Sequence, residues 1–469
     1  MSAPAFDALI IGSGQAGTPL AYALADAGRR VGVIEGAHLG GSCINYGCAP
    51  TKALLASAER AHAVRTAADY GIRSSPPEVD FAAVIERMHA LREHSRENLH
   101  RKLTEAHANI TVIRGHARFT APHTLRVALA GDAGGEQLLT APLIFINTGT
   151  RAAVPDVPGL RDSGYLTSDS LLLQHMAEQP EHLLIMGGSY IGVEFGQLFQ
   201  RLGSRVTIVD TKPRLMARED ADVSHPLAEC LREAGVELVL GAETRRVSRA
   251  ADGHLTLTAD TKAGERRLRG SHLLVAVGRT PNTDDLGLEH TGIALDPKGY
   301  IEVNEHLQTG TRGVYALGDV KGGPQFTHVA YDDYRIVRDA LLHGRQRSTA
   351  GRPLPYVVFT EPQLGRIGLS KNQAKEKGIA HRVSRLPAHT IGRAVQTGET
   401  DGFVEVLVGE DDQLLGAAVF CGQGGEIMTM FQLAMVGRLR YQELENMILA
   451  HPTWGEILNN AFQRLKPGE

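Results

Sequence analysis

The sequence predicts an α/β protein with two Rossmann-like dinucleotide-binding domains and a C-terminal α+β domain. A strand, a glycine-rich turn, a helix, a second strand and a terminal carboxylate follow one another twice, from about residue 8 and from about residue 183. Strand patterns followed by helical patterns after about residue 348 predict the third domain. The 469 residues suit roughly three domains of ~100 to 200 residues each.

The composition is that of an ordinary globular protein. Hydrophobic residues make up 42% of the chain and charged residues 22%, and the mean hydropathy is -0.15. A net charge of -4 provides no strong basic field, which argues against a nucleic-acid partner. The chain has no run of 18 apolar residues, no signal-peptide pattern and only four cysteines. We therefore expect a cytoplasmic protein without a membrane partner.

The first unit turns at three glycines, Gly12, Gly14 and Gly17, between an apolar strand and a helical stretch. Glycines at these positions allow a tight turn, backbone approach to a pyrophosphate and close packing of helix on strand. The helix N-terminus then offers unpaired N–H groups to the phosphates. A second strand ends at Glu35, whose carboxylate is expected to bind a ribose.

The second unit repeats this pattern at Gly187, Ser189 and Gly192, with serine in place of the middle glycine. In both units 16 residues separate the first glycine from the glycine after the helix, and 23 separate it from the terminal acid. That acid is Asp210 in the second unit, where a carboxylate favours NADH over NADPH by binding the free 2′-hydroxyl. Two basic residues soon after Asp210 leave NADPH possible.

Two cysteines, Cys43 and Cys48, follow closely on the first unit. An ideal helix would separate their Cα atoms by ~8 Å, more than the ~7 Å that a disulfide tolerates. The segment must therefore be distorted, and Gly47 and Pro50 suit a break followed by a new helix. Buried free thiols or half of a zinc site are the alternatives, but no second cysteine pair or nearby histidine pair completes a metal site. We expect a redox-active disulfide with FAD in the first unit and a nicotinamide nucleotide in the second.

Three further motifs follow in order: Thr148-Gly149 after an apolar strand, Gly278-Arg279, and a short segment that ends at Asp319. With these motifs the chain resembles the class I pyridine nucleotide-disulfide oxidoreductases over nearly its whole length. Residues 322–337 are most similar to the mercuric-reductase-like and reactive-chlorine-resistance branch of that family. The chain is also similar to lipoamide dehydrogenase and glutathione reductase.

This resemblance implies a set of residues around the cofactors. Asp319 is expected to bind the ribityl chain of FAD, and Arg279 to lie near the flavin. Tyr190 matches a residue that covers the flavin until nicotinamide arrives, with packing at a helix start as the alternative. His328 either adds to the field of a helix N-terminus or caps that helix. The candidate cofactor-binding set also includes Ser42, Lys52, Thr148, Gly149, Ile191 and Gly278.

The resemblance also implies a path for electrons. The flavin passes them through Cys48, which frees Cys43 to attack a disulfide or to bind a soft metal ion. Lys52 is expected to pair with Glu194 beside the flavin and to stabilise charge that develops on reduction. A buried ion pair that merely joins two domains is the alternative.

A histidine near the C-terminus completes the predicted catalytic set. By resemblance, His451 takes a proton from Cys43 and returns it to the leaving thiol, and Glu456 orients the imidazole. Glu456 also has capping-box spacing from Thr453, which is the alternative role. Since this histidine reaches the active site of the other subunit in the family, the resemblance implies a homodimer with a shared site.

We expect an FAD domain at residues 1–150 and 281–347, an NAD(P) domain at 151–280 and a dimerisation domain at 348–469. The leading function is an FAD-dependent NAD(P)H:disulfide oxidoreductase that acts on a small disulfide of the lipoamide or glutathione type. One alternative is an NAD(P)H-dependent reductase of Hg(II) or Cu(II), although the cysteine pair that mercuric reductases carry near the C-terminus is lacking here. A flavoprotein redox sensor or a subunit of a larger complex is another.

Overall fold

The computed structural model describes residues 6–131, 134–176 and 178–468. Within these ranges the strands form two mainly parallel sheets, a six-stranded antiparallel sheet and two smaller sheets. No helix in the described ranges combines the length and the apolar character needed to span a membrane. The arrangement confirms the predicted α/β class.

Strands of the first part of the chain are β1 (Ala8–Ile11), β2 (Val31–Glu35), β3 (Ile110–Ala121), β4 (Thr124–Leu129), β5 (Glu136–Thr140) and β6 (Leu143–Ile146). Helices of this part are α1 (Gly17–Asp26), α2 (Gly41–Asn45), α3 (Cys48–Arg65) and α4 (Phe81–Thr104).

Strands of the second part are β7 (Thr150–Ala152), β8 (Leu166–Thr167), β9 (His182–Met186), β10 (Arg205–Asp210), β11 (Glu237–Leu240), β12 (Glu243–Arg249), β13 (Leu255–Thr261), β14 (Gly264–Gly270) and β15 (His272–Val275). Helices of this part are α5 (Ser168–Leu173), α6 (Tyr190–Leu202) and α7 (Ala221–Glu233).

The chain then forms β16 (Arg279–Pro281), β17 (Val314–Ala316) and α8 (Thr327–His343). Strands of the last part are β18 (Tyr356–Val358), β19 (Gln363–Gly368), β20 (His381–Pro387), β21 (Phe403–Gly409), β22 (Leu414–Cys421) and β23 (Lys466–Pro467). Its helices are α9 (Lys371–Glu376), α10 (Gly392–Gln396), α11 (Gly424–Val436), α12 (Tyr441–Glu445) and α13 (Ile457–Asn460). Short 3₁₀ turns lie at Ala67–Tyr70, Arg161–Ser163, Leu288–His290, Gly318–Lys321, Ala388–Thr390 and Trp454–Glu456.

The first unit is built on a seven-stranded sheet in the order β17-β6-β1-β2-β3-β4-β5. Strands β17, β6, β1, β2 and β3 run parallel, and β4 and β5 extend the sheet as an antiparallel ribbon. All four residues of β1 are buried, as expected for the centre of a sheet covered on both faces. Strand β17 follows the whole second unit in sequence, so the first unit is completed only by a later segment.

The second unit has a parallel sheet in the order β11-β10-β9-β15-β8. Helix α6 starts directly after the glycine turn that follows β9, and it ends at Gly203. This repeats the path of β1, α1 and β2 in the first unit, as the matched spacing predicts. Strands β12, β13 and β14 form a separate antiparallel sheet beside it.

The C-terminal part has an antiparallel sheet in the order β18-β19-β22-β21-β20-β23. Every residue of β21 is buried. On one face the sheet shares a core with α11, which includes Phe431. On the other face Phe403 and Phe420 belong to a core that also contains Leu215 and Val223 of the second unit. The sheet is therefore covered on both sides.

Charged side chains, of which Glu405 is buried, join the second unit to the C-terminal part. Arg385 Nη1 donates to Asp222 Oδ2 at 3.0 Å, and Lys371 Nζ contacts both Asp222 and Glu405, the latter at 3.1 Å. Glu405 is 1% exposed, and burial raises the pKa of its carboxyl. The two parts are therefore in contact through ion pairs that neutralise the buried carboxylate of Glu405.

Candidate active site

A cavity of about 980 Å³ lies between the first unit, the second unit and the C-terminal sheet. Many of the residues predicted for cofactor binding or catalysis line it: Gly12, Gly14, Glu35, Ser42, Cys43, Cys48, Lys52, Thr148, Gly149, Tyr190, Ile191, Glu194, Arg279, Asp319 and His328. The other predicted site residues lie outside the cavity lining: Gly17, Gly187, Ser189, Gly192, Asp210, Gly278, His451 and Glu456.

The third glycine of each unit serves close packing. A Cβ atom added to Gly17 would lie 2.4 Å from the carbonyl oxygen of Gly12. One added to Gly192 would lie 1.9 Å from the carbonyl oxygen of Gly187. Both contacts are far shorter than van der Waals distance, so only glycine lets each helix start this close to its strand.

Glu35 is fixed by the glycine turn at one end of the cavity. Its Oε2 accepts hydrogen bonds from the backbone N–H of Ser13 at 3.0 Å and from the Ser13 hydroxyl at 2.6 Å. A Cβ at Gly12 would lie 2.4 Å from the carbonyl oxygen of Asn147, so the turn is made of bare backbone. A fixed carboxylate beside a backbone turn and a helix N-terminus fits the ribose and pyrophosphate of a dinucleotide.

Asp319 lines the same cavity, although it lies far from Glu35 in the sequence. Thr150 donates its hydroxyl to Asp319 Oδ2 at 3.2 Å, and Arg279 Nε donates to that hydroxyl oxygen at 2.7 Å. Burial raises the pKa of Asp319, and the charge of Arg279 opposes this rise. Asp319 is thus a buried, oriented acceptor for ligand hydroxyls, and the cavity with its polar groups fits FAD.

The two cysteines lie on either side of a break between helices α2 and α3. Cys43 is in α2, Cys48 is the first residue of α3, and Tyr46 and Gly47 separate the two helices. A Cβ at Gly47 would lie 2.9 Å from the carbonyl oxygen of Ser42. The predicted distortion is therefore present, although α3 begins at the second cysteine rather than after it. Both cysteines are free thiols.

Asn45 anchors the segment between the cysteines, a role the sequence did not reveal. Its side chain is fully buried and donates to the carbonyl oxygens of Leu39 at 2.9 Å and Gly41 at 2.7 Å. Arg96 of α4 donates to its Oδ1 atom. An asparagine between two cysteines could have indicated such an anchor, since a buried side-chain amide must find hydrogen-bond partners.

The two cysteine thiols differ in pKa. Cys43 hydrogen-bonds to Cys48, which raises the pKa of Cys43 and lowers that of Cys48 to about 6. The Thr327 hydroxyl, whose oxygen lies 3.1 Å from Cys48 Sγ, and the positive charge of Lys52 lower the Cys48 pKa further. Cys48 is therefore the more acidic sulfur of the pair. Thr327 lies 279 residues from Cys48 in sequence, so the sequence carries no signal for this contact.

The structure brings Lys52 and Glu194 together. Lys52 Nζ donates to Glu194 Oε2 at 2.7 Å, and the backbone N–H of Phe359 donates to Glu194 Oε1 at 2.9 Å. The side chain of Glu194 is 6% exposed and that of Lys52 is 33% exposed. Three segments distant in sequence therefore meet at this carboxylate, on the wall of the cavity.

Aromatic rings cover one side of the cavity. The Tyr190 ring lies 5.9 Å from that of Phe326, which stacks on the His328 ring at 5.3 Å. His328 Nε2 donates to the carbonyl oxygen of Pro355 at 2.7 Å, and desolvation lowers the pKa of His328. Phe326 rather than His328 occupies the N-cap position of α8. His328 lines the cavity but does not cap the helix, and its contribution to the field of the helix N-terminus stays a prediction.

The second unit holds its terminal acid in the same way as the first. Asp210 Oδ2 accepts a hydrogen bond from the backbone N–H of Gly188 at 2.5 Å, and Oδ1 accepts one from that of Lys212 at 2.7 Å. Ser189, at the N-cap of α6, is exposed and makes no side-chain cap. The turn is therefore open for a second dinucleotide.

His451 and Glu456 form a pair on the surface. His451 Nδ1 donates to Glu456 Oε1 at 2.9 Å, while Glu456 Oε2 accepts a hydrogen bond from the backbone N–H of Thr453 at 2.9 Å. The Thr453 amide and His451 both lower the pKa of Glu456. Glu456 thus holds the imidazole and caps a 3₁₀ turn at once. The His451 side chain is 75% exposed.

Comparisons with known proteins agree with this geometry. The family described as pyridine nucleotide-disulphide oxidoreductase matches residues 6–333, and the dimerisation domain of that family matches residues 354–462. The chain is 38% identical over 466 residues to the probable pyridine nucleotide-disulfide oxidoreductase RclA of Escherichia coli (strain K12), which covers 98% of this chain and 99% of the relative. It is 35% identical to the mercuric reductase of Streptomyces lividans, over 98% of this chain and 96% of the relative.

Structural similarity points the same way. A solved Cu(II) complex of the HOCl-induced flavoprotein disulfide reductase RclA from Escherichia coli superimposes with a TM-score of 0.88 at 36% identity, over 98% of this chain and 99% of that chain. The expected resemblance is therefore confirmed along nearly the full sequence. This chain belongs to the class I pyridine nucleotide-disulfide oxidoreductases, which are FAD-containing enzymes.

Proposed function

We propose that the chain is an NADH:disulfide oxidoreductase whose substrate is a small disulfide, reduced at the Cys43–Cys48 pair. The observation that carries the proposal is the position of Cys43 and Cys48 on the two sides of a helix break, in a cavity that fits FAD and with the Thr327 hydroxyl oxygen 3.1 Å from Cys48 Sγ. FAD bound there would supply two-electron transfer between a nicotinamide nucleotide and the cysteine pair. Glu35 and Asp319 are the side chains that would hold the two halves of FAD.

The dithiol reduces its substrate in two exchange steps. The Cys43 thiolate attacks one sulfur of the substrate disulfide, a mixed disulfide forms, and the first substrate thiol leaves. The Cys48 thiolate then attacks the Cys43 sulfur, which releases the second thiol and forms the Cys43–Cys48 disulfide. Two substrate thiols are produced for each pair of electrons, and the lowered pKa of Cys48 keeps it ready for the second step.

Cys43 needs a base, because its raised pKa keeps it protonated. The proposed base is His451 of the partner subunit. Since Nδ1–H of His451 donates to Glu456, Nε2 is left as the proton acceptor. The imidazole would take the Cys43 proton and return it to the leaving thiol. The exposure of His451 in one chain is consistent with service to another subunit.

A homodimer is part of the proposal. Leu433 and Val436 on α11 are each 67% exposed, and Ile448 is fully exposed. All three lie within the segment that matches the dimerisation domain. Exposed apolar side chains in this segment support association with a second copy, because apolar surface in contact with water costs free energy.

NADH is the proposed reductant because of Asp210. Both of its carboxylate oxygens accept backbone hydrogen bonds, so the negative charge is held at the turn. A fixed carboxylate accepts the 2′-hydroxyl of NADH and repels a 2′-phosphate.

The proposed function is tested by steady-state NADH oxidation with oxidised lipoamide, glutathione disulfide, Cu(II) and Hg(II). We expect disulfide-dependent turnover in the wild type. Cys43→Ser is expected to retain FAD and its reduction by NADH but to lose disulfide turnover, because the attacking sulfur is gone. Full turnover by Cys43→Ser would contradict the mechanism.

A metal-ion reductase is the second candidate. Two adjacent sulfurs are suitable soft ligands for copper or mercury, and the superimposed structure is described as a Cu(II) complex. Turnover with Cu(II) or Hg(II) but with neither disulfide would favour this function. Turnover with none of the four compounds would favour a redox sensor.

A further inference from the structure

Phe359 contacts both members of the Lys52–Glu194 pair. Its backbone N–H donates to Glu194 Oε1 at 2.9 Å, while Lys52 Nζ donates to the other carboxylate oxygen at 2.7 Å. The ammonium nitrogen of Lys52 also lies 4.3 Å from the centroid of the Phe359 ring. One residue therefore binds the anion through its main chain and the cation through its side chain.

The two charges of the pair differ in how firmly they are held. The Glu194 side chain is 6% exposed and has two named donors, so its position is fixed by burial and hydrogen bonds. The Lys52 side chain is 33% exposed and carries its charge on a flexible four-carbon stem. A single contact with Glu194 would allow the ammonium to turn toward water. The Phe359 ring provides a second contact of a different kind.

The ring itself lies on the cavity wall. Phe359 is 36% exposed and lines the cavity that also holds Lys52 and Cys48. A large apolar side chain in this position gains less from burial than a core residue does. Its contact with the ammonium is the specific interaction that the geometry offers.

We propose that Phe359 is a positioning residue whose ring holds the Lys52 ammonium against the cavity wall, where the charge favours reduction of bound FAD. The inference rests on the proposed function, since it takes the cavity to hold FAD. A positive charge fixed beside a site of developing negative charge stabilises the reduced state without reorganisation.

The test compares substitutions that keep the backbone hydrogen bond to Glu194. Phe359→Leu and Phe359→Met remove the ring, and Phe359→Tyr retains it. Tyr331→Leu is the matched control, because it removes a contact of the same type, with Arg335 at 4.8 Å from the ring, outside the cavity lining. The first measurement is the rate of flavin reduction by NADH in single-turnover experiments on the holoenzyme.

The second measurement does not depend on activity. It is the pH midpoint for alkylation of Cys48 in the dithiol form, which reports the field of Lys52 because that charge lowers the Cys48 pKa. We expect Phe359→Leu and Phe359→Met to slow flavin reduction by about twofold to 30-fold, the range of one cation–π contact, and to raise the midpoint. Phe359→Tyr and Tyr331→Leu should match the wild type.

Unchanged rate and midpoint in Phe359→Leu or Phe359→Met would overturn the inference. Equal impairment in Phe359→Tyr would also overturn it, because a general packing defect would then be the cause. If one ring-less variant does not fold, the other still gives the comparison. If NADH fails to reduce the flavin of the wild type, the proposed function fails, and the Cys48 midpoint alone decides the role of the ring.

Discussion

Cys43 and Cys48 have identical side chains, and their surroundings give them different tasks. Cys48 receives a hydrogen bond from Cys43 and lies beside the hydroxyl of Thr327 and the charge of Lys52, so its pKa is about 6. Cys43 keeps its proton and depends on an external base. The lower pKa of Cys48 is thus set by three neighbouring groups, Cys43, Thr327 and Lys52.

Replacement of Thr327 by valine should raise the pKa of Cys48. The change removes a hydrogen bond to a charged sulfur and keeps the shape of the side chain. Such bonds contribute about 1.5 to 3 kcal/mol, so a rise of about one to two pH units is expected. The measurement is the rate of Cys48 alkylation against pH in the dithiol form, with Thr104→Val on the exposed end of α4 as the control.

The sign of the effect on stability follows from the same shift. Because the folded-state pKa of Cys48 is below its ordinary value, its thiolate stabilises the fold above the ordinary thiol pKa. That contribution is lost as the pH falls through about 6. Because Thr327→Val raises the Cys48 pKa, the stabilising contribution of the thiolate should be lost at a higher pH than in the wild type. An alkylation profile identical to that of the wild type would show that the hydroxyl does not act on Cys48.

At the scale of elements, the glycine turn of the first unit and the redox helix α2 touch through Gly41. This residue has φ +63°, and a Cβ at its position would lie 2.7 Å from the Cα of Gly14. The turn that is expected to bind the pyrophosphate and the helix that carries Cys43 are therefore packed backbone to backbone. A displacement of α2 should therefore also displace the glycine turn.

Gly41→Ala should weaken FAD binding by tenfold or more, because the new methyl group must push α2 away from the turn. Gly28→Ala is the matched control, since Gly28 also has positive φ but has open space around its position. The control should cost about 1 to 2 kcal/mol of unfolding free energy and leave the FAD content unchanged. FAD titration of the apoprotein measures the difference. Equal affinities in the two variants would contradict the packing argument.

In the second unit, the carboxylate of Asp210 at the end of β10 should set the preference for NADH over NADPH. In Asp210→Asn the charge that repels a 2′-phosphate is gone, so kcat/KM for NADPH relative to NADH should rise by about tenfold or more. Asp260→Asn, on the separate antiparallel sheet, is the control and should leave the ratio unchanged. An unchanged ratio in Asp210→Asn would remove Asp210 from the selection of NADH.

The elements that the sequence predicted best are those with a local signature. The turns at Gly12 and Gly187 and the break at Gly47 all follow from glycine spacing or from cysteine geometry, and each is present. Contacts between distant segments could not be predicted in the same way. The hydroxyl of Thr327 at Cys48 and the amide of Phe359 at Glu194 depend on how whole units pack, which no local pattern encodes.

Of the candidate site, the sequence predicted the chemical groups better than their surroundings. The contact between Lys52 and Glu194 and that between His451 and Glu456 are present as expected, while their catalytic roles stay predictions. For His328, the sequence indicated a position near the start of a helix. Its hydrogen bond to the carbonyl oxygen of Pro355 could not be predicted, because it depends on how the C-terminal segment packs.

At the scale of the whole molecule, the proposed dimer makes a distinctive prediction. Cys43→Ser and His451→Gln should each be inactive toward disulfides, for different reasons. When the two variants are mixed and allowed to exchange subunits, half of the dimers are hybrids with one intact site of two. Disulfide turnover of about a quarter of the wild-type value should then reappear.

The same mixing experiment distinguishes an active site that is shared between two subunits from one that is formed within a single chain. Hybrid formation can be followed with differently tagged subunits, and a mixture of Cys43→Ser with itself under the same exchange conditions is the control. If hybrids form and turnover stays absent, His451 does not act across the dimer.

The strand order of the first sheet has a consequence for biosynthesis. Strand β6 ends at residue 146, and its neighbour β17 begins at residue 314, so the ribosome must make the entire second unit in between. At ordinary elongation rates this takes roughly 10 to 30 s. During that interval the nascent sheet keeps an open edge at β6, which is a template for wrong pairing. Because this edge stays exposed to solvent, we expect the nascent chain to bind chaperones until Val314–Ala316 is synthesised.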